Sequence, residues 1–199
     1  LISFSNHFPG HGDTAVDSHI SLPVINKTTA DLISEDIMPF VKAIKTGVSS
    51  IMIGHLTVPE LDSKPASLSK KIITDLLRKE LGFKGLILTD ALNMHALKDY
   101  GNVPAKCINA GADILLHPAD ADITVKELLS AVKSKEIGEK QIDNAVSNLL
   151  KAKTRLQDIR KSEVNYTAHE SISKQITDMS ISFIKYKPGI LPIKDFDKA

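Results

Sequence analysis

The sequence predicts an α/β fold: the C-terminal half of a (β/α)8 barrel, about four βα units, followed by the start of a second domain. Three observations carry this. Short apolar runs alternate with segments of helical period, titratable residues cluster just after those runs, and the texture changes near Lys161. Strands buried on both faces of a parallel sheet read as near-continuous apolar runs rather than as alternation. Alternating strand and helix argues for right-handed βα crossovers. A complete barrel needs about 250 residues, so four visible units make half of one.

The first run, "LISFS" (1–5), reads as a strand entered midway, lacking Met and a basic start, which argues against a signal peptide. The numbering is therefore expected to begin inside a longer protein. Residues 29–46 set Leu32, Ile33, Ile37, Phe40, Val41 and Ile44 on one stripe, with Gly47 as the stop. "VSSIMIG" (48–54) is the second strand. A helix over 69–81 follows, with Ile72, Ile73, Leu76, Leu77 and Leu81 apolar, Ser69 as N-cap and Gly82 as stop. "GLILT" (85–89) and "ADILLHP" (112–118) are the third and fourth strands, separated by a short helix at 103–110. Helices over about 123–135 and 139–156 complete a first domain at 1–160. Residues 161–199 read as a linker, a helix with Ile172, Ile176, Met179 and Ile184 inward, then a turn and short strand of a truncated second α/β domain.

Composition narrows the function classes. The chain has 199 residues, 42% hydrophobic and 25% charged, and a formal net charge of +1, with no basic patch of the kind nucleic acid requires. Its single cysteine, Cys107, excludes an internal disulfide framework and a cysteine-based zinc site. No apolar run approaches the roughly 20 residues that span a bilayer. No cofactor or metal is expected.

The chemistry gathers in "NHFPGHGDTAVDSH" (6–19), with His55, Asp90 and His117 at or just beyond the ends of later strands. In a (β/α)8 barrel that is where active sites are built. Asp17 and His19 stand two apart, so in an extended loop their side chains point the same way. A carboxylate there would fix the tautomer of an imidazole whose unperturbed pKa near 6.5 suits proton donation and acceptance. Gly10 and Gly12 give the loop freedom to swing that pair over a substrate. Plainer readings stand beside these. His7 and His11 have the spacing of a helical metal pair, but Pro9-Gly10 breaks the helix. His11 reads as a loop histidine bonded to backbone, and Asp13 as a turn former. Asp90 alone reads as an N-cap before "ALNMHAL". His95, His117 and His169 read as structural or surface residues.

Taken together, "HFPGHGDTAVDSH", "SIMIGHLTVPELD", "KGLILTDALNM" and "AGADILLHP" resemble glycoside hydrolase family 3. The resemblance covers residues 1–156 and is closest to the β-N-acetylhexosaminidase branch acting on N-acetylglucosamine of bacterial cell-wall fragments. It implies a retaining hydrolase that removes terminal β-linked N-acetylglucosamine through a glycosyl-aspartate intermediate. Asp90 matches the nucleophile, His19 the general acid/base and Asp17 its carboxylate partner. His7 matches a residue bonding sugar hydroxyls, and His55 is expected to line the pocket. Where the family has a lysine beside that histidine this chain has Asn6, so a charged donor becomes a neutral amide. The absence of Trp leaves Phe8 or the missing half to supply any stacking platform. The implied partners are the carbohydrate and the missing N-terminal half of the barrel, in the bacterial cytoplasm or periplasm. The alternative is a non-catalytic half-barrel that binds sugar or a partner chain without turnover.

Overall fold

The computed structural model describes residues 2–14, 16, 20–157 and 164–182. The chain divides into two units, Leu1–Ile159 and Arg160–Ala199. In the first unit β1 (Phe4–Phe8), β2 (Ser50–Ile53), β5 (Leu86–Ala91) and β6 (Ile114–Leu116) form one sheet in the order β1-β2-β5-β6, every pair parallel. Helix α1 fills residues 29–45, opening at Thr29–Asp31, wound as a π-helix over Leu32–Ile37 and closing at Met38–Lys45. Helix α2 (Lys71–Glu80, also π-wound) leads to β5, α3 (Val103–Ala110) leads to β6, and α4 (Ala121–Lys133) and α5 (Glu139–Gln157) follow. These are four successive βα units, half of a (β/α)8 barrel.

The apolar pattern explains why the helices lie on the sheet. Phe8, Ile51, Ile53 and Ile87 have no exposed surface, and Ile72, Ile73 and Leu77 of α2, in the same core cluster, are buried as completely. Each such side chain gains about 1.5–3 kcal/mol from leaving water. Phe40 of α1 meets Phe8 edge-on, ring centroids 5.1 Å apart, which fixes α1 against the end of β1. Gly47 and Gly82 end their helices with φ of +84° and +69°, the left-handed turn that favours glycine. Ser69 caps α2, its Oγ accepting from Ile72 N at 3.2 Å.

Several expectations need correction. β1 and β5 run further toward their C-terminal ends than the apolar runs 1–5 and 85–89, because pairing continues across the polar residues that interrupt those runs to Phe8, opposite Ile53, and Ala91, opposite Leu116. A hairpin of β3 (Thr57–Val58) and β4 (Asp62–Pro65) was not foreseen. Ile33 is not inward but 52% exposed, since the π-winding of α1 rotates it off the stripe. In the second unit α6 (Tyr166–Ser180) forms as expected, but Ile172, Ile176 and Met179 are exposed rather than inward. Ile184 and the expected strand lie outside the described residues.

Candidate active site

The C-terminal ends of the parallel strands bring three predicted residues together. His7 stands near the end of β1, where the Asn6–His7 and Phe8–Pro9 peptide bonds are cis. His55 follows β2 and Asp90 is the penultimate residue of β5. His7 Nε2 lies 3.6 Å from Asp90 Oδ2. Asp90 Oδ1 accepts a hydrogen bond from Ala91 N at 2.8 Å. The Asp90 side chain keeps 14% of its surface open. It is thus a partly open strand-end carboxylate beside His7, not the helix N-cap that its sequence context alone suggests.

His55 stands behind the wall rather than on it. Its side chain is wholly buried, so the expectation that it lines the pocket gives way to a supporting position. The ring bridges Ser67 Oγ (2.8 Å from Nδ1) and the Ala91 carbonyl (3.2 Å from Nε2). A carbonyl can only accept, so Nε2 carries the proton and Nδ1 accepts from the Ser67 hydroxyl. Burial lowers the pKa of His55 below its ordinary value, opposed by the nearby Asp90 charge. The outcome is a neutral imidazole bracing the backbone beside Asp90.

On the other flank, Asn6, His7, His11, Asp36 and Phe40 border a cleft of about 360 Å³. His11 packs its ring edge against His7, centroids 5.9 Å apart, a side-chain contact that the reading as a backbone-bonded loop histidine did not anticipate. Asn6 Nδ2 approaches the His7 ring at 3.4 Å from Nδ1. Asp17 and His19, the expected acid/base pair, lie outside the described residues. Cys107 is buried, its thiol pushed up to about 12, and offers no nucleophile.

Sequence reading missed Lys27. Its ammonium contacts Asp13, Glu35 Oε2 (2.8 Å) and Asp36 Oδ2 (2.8 Å). Asp13, then Asp36 and Glu35, hold the lysine above its ordinary range. Oxygens of those three carboxylates lie within 4.8 Å of one another, the spacing of a cation site, yet the cation the fold supplies there is Lys27. Asp13 is therefore an ion-pair partner rather than a simple turn former. No periodicity or motif signals such a cluster, because its members come from two loop limbs and a helix.

Residues 1–152 match the sequence model of the glycosyl hydrolase family 3 N terminal domain. The chain belongs to glycosyl hydrolase family 3. Among its relatives, a beta-hexosaminidase A of Pseudoalteromonas piscicida is 31% identical, over 98% of this chain and 38% of its own length. A beta-hexosaminidase of Nitrosomonas eutropha is 35% identical over 67% of this chain and 39% of its own. A family 3 β-N-acetylglucosaminidase from Paenibacillus sp. str. FPU-7 superposes with a TM-score of 0.75 at 37% identity, over 82% of this chain and 33% of that one. The chain thus spans well under half the length of these relatives.

Proposed function

We propose that the protein carrying these residues is a retaining glycoside hydrolase that removes terminal β-linked N-acetylglucosamine through a covalent intermediate on Asp90. The observation that carries the reading is the Asp90 carboxylate, held by Ala91 N–H and faced by His7 at 3.6 Å on the C-terminal rim of a parallel sheet. The names of the relatives supply the substrate class. A retaining mechanism needs a carboxylate at the anomeric carbon and a proton donor on the leaving oxygen, roughly 5 Å apart. Asp90 attacks as the nucleophile. His19, oriented by Asp17, protonates the leaving alcohol and then, as base, takes a proton from the water that releases the sugar. His7 and Asn6 hold sugar hydroxyls, and His55 positions Asp90 through the Ala91 carbonyl. Cell-wall turnover is the setting this chemistry suits. The test is hydrolysis of an aryl β-N-acetylglucosaminide by the full-length protein, followed by proton NMR. The first sugar released should be the β-anomer; initial release of the α-anomer would overturn the mechanism.

A second reading, a sugar-binding barrel without turnover, draws on Asn6, which gives a neutral amide where family 3 carries a lysine. Folded full-length protein that binds N-acetylglucosamine yet releases no aglycone would favour it.

A further inference from the structure

The loop between β1 and α1 has two limbs, and the structure anchors them differently. The return limb is tied to the first unit's core: Ile25 N donates to Thr57 O at 2.9 Å, Thr57 N donates to Pro23 O at 2.8 Å, and Ile25 is 1% exposed. The outgoing limb leaves β1 at Gly10, whose φ of +143° and close approach to Asp36 exclude a side chain. A Cβ there would stand 2.6 Å from Asp36 Cβ. Beyond Gly10, Asp13 reaches back to Lys27 on the return limb, and Lys27 is itself held on α1 by Glu35 and Asp36. The Asp13–Lys27 pair ties the two described limbs together, and positions 17 and 19 fall between them in the sequence.

We infer that Lys27 is a positioning residue for this reaction, a clasp that holds the neck of the acid/base loop against α1. It rests on the reading of Asp17 and His19 as the acid/base pair. The clasp acts by charge as well as by contact. Three carboxylates converge on one ammonium, so removing that ammonium leaves three like charges within 4.8 Å. The most exposed parts of the cluster are Glu35 and Asp13, and Asp13 has only a loop behind it. Repulsion would therefore be relieved by Asp13 moving outward, taking the outgoing limb with it. Displacement of a catalytic group by about 1 Å can cost on the order of 10²-fold in rate.

The experiment compares wild type with Lys27→Met, Lys27→Arg, Asp13→Asn and the Lys27→Met/Asp13→Asn double variant, in the full-length protein. Lys27→Met should lower kcat about tenfold or more with KM within about twofold, the split expected when orientation of the proton donor is lost rather than ground-state binding. Lys27→Arg, which keeps the charge, should recover most of the turnover. The double variant should be no slower than Lys27→Met, because both changes break one clasp. Hydrogen exchange over residues 11–26 should rise in Lys27→Met while exchange in β2 and β5 stays at the wild-type level. Should Lys27→Met fail to fold, Asp13→Asn breaks the same pair from its exposed side and must show the same rise. Unchanged turnover and unchanged exchange, with His19→Ala crippled, would overturn the clasp and leave the hydrolase reading intact. If His19→Ala is as fast as wild type, the acid/base reading fails, and the exchange data still decide the clasp.

Discussion

Asp90 has one oxygen engaged by its own backbone neighbour and the other turned toward His7. That arrangement holds the carboxylate in one orientation. In the proposed mechanism its proton-donating counterpart is His19, so His19→Ala is expected to slow turnover by about 10²–10⁴-fold, the usual worth of general acid–base catalysis, measured as kcat on an aryl β-N-acetylglucosaminide. His55 makes a separate prediction about stability. Its folded pKa is lowered, so the native imidazole refuses a proton that the unfolded chain accepts once pH falls below about 6.5. His55 thus makes no pH-dependent change above that value, and stability is lost as pH falls toward the folded pKa, by up to about 1.4 kcal/mol per pH unit. His55→Gln should be less stable at neutral pH, with the Ser67 and Ala91 contacts disturbed, yet show a flatter acid slope in urea unfolding between pH 7.5 and 5. An unaltered slope would show that His55 is not the titrating group.

Among the elements, the N-terminal ends of β5 and β6 depend on a partly buried ion pair. Arg78 of α2 donates to Asp113, to the Phe83 carbonyl at 3.3 Å and to the Gly85 carbonyl. Asp113 also accepts from Ile87 N (2.8 Å) and Asn148 Nδ2 (2.9 Å), joining α2, β5, the start of β6 and α5. Asp113→Asn would leave the partly buried guanidinium on the Phe83 and Gly85 carbonyls without its countercharge and should cost about 1–3 kcal/mol, read as a fall in the urea midpoint. A loss below about 1 kcal/mol would mean that the bridge is loosely coupled to the fold. The strands and helices themselves were legible because burial writes a period into the sequence: the spacing of Ile72, Ile73 and Leu77 and the run through Ile87 predict both partners of one interface. The π-winding of α1 was not, since Ile33 fits an ideal 3.6-residue stripe and only the observed backbone turns it outward. The β3–β4 hairpin escaped for another reason: its two strands are too short for any alternation to register. Lys27 and Arg78 escaped because a charged residue's partners are set by tertiary placement, which no local pattern encodes.

On the scale of the molecule, four βα units supply one wall of a barrel and one side of a cleft. β1 and β6 are the edges of the sheet formed by the described residues, and Val125, Leu129 and Leu150 on α4 and α5 are each about half exposed. Open edges and apolar helix faces invite association. The 199 residues in isolation should therefore show little or no hydrolysis and self-associate in size-exclusion chromatography, whereas the full-length protein should be active. Robust turnover by a monomer of these residues would show that four units suffice. At this scale the four-unit organisation and the strand-end position of Asp90 were readable from the order of the apolar runs, while the neck of the acid/base loop was not, because it is closed by residues fourteen positions apart. In the proposed mechanism the sugar is carried on Asp90. Incubating the full-length protein with a fluorinated N-acetylglucosaminide and mapping the adduct by peptide mass spectrometry tests it most directly. The prediction is a single glycosyl mass on the peptide containing Asp90, abolished by Asp90→Asn; a label on another carboxylate, or inactivation without any adduct, would contradict it.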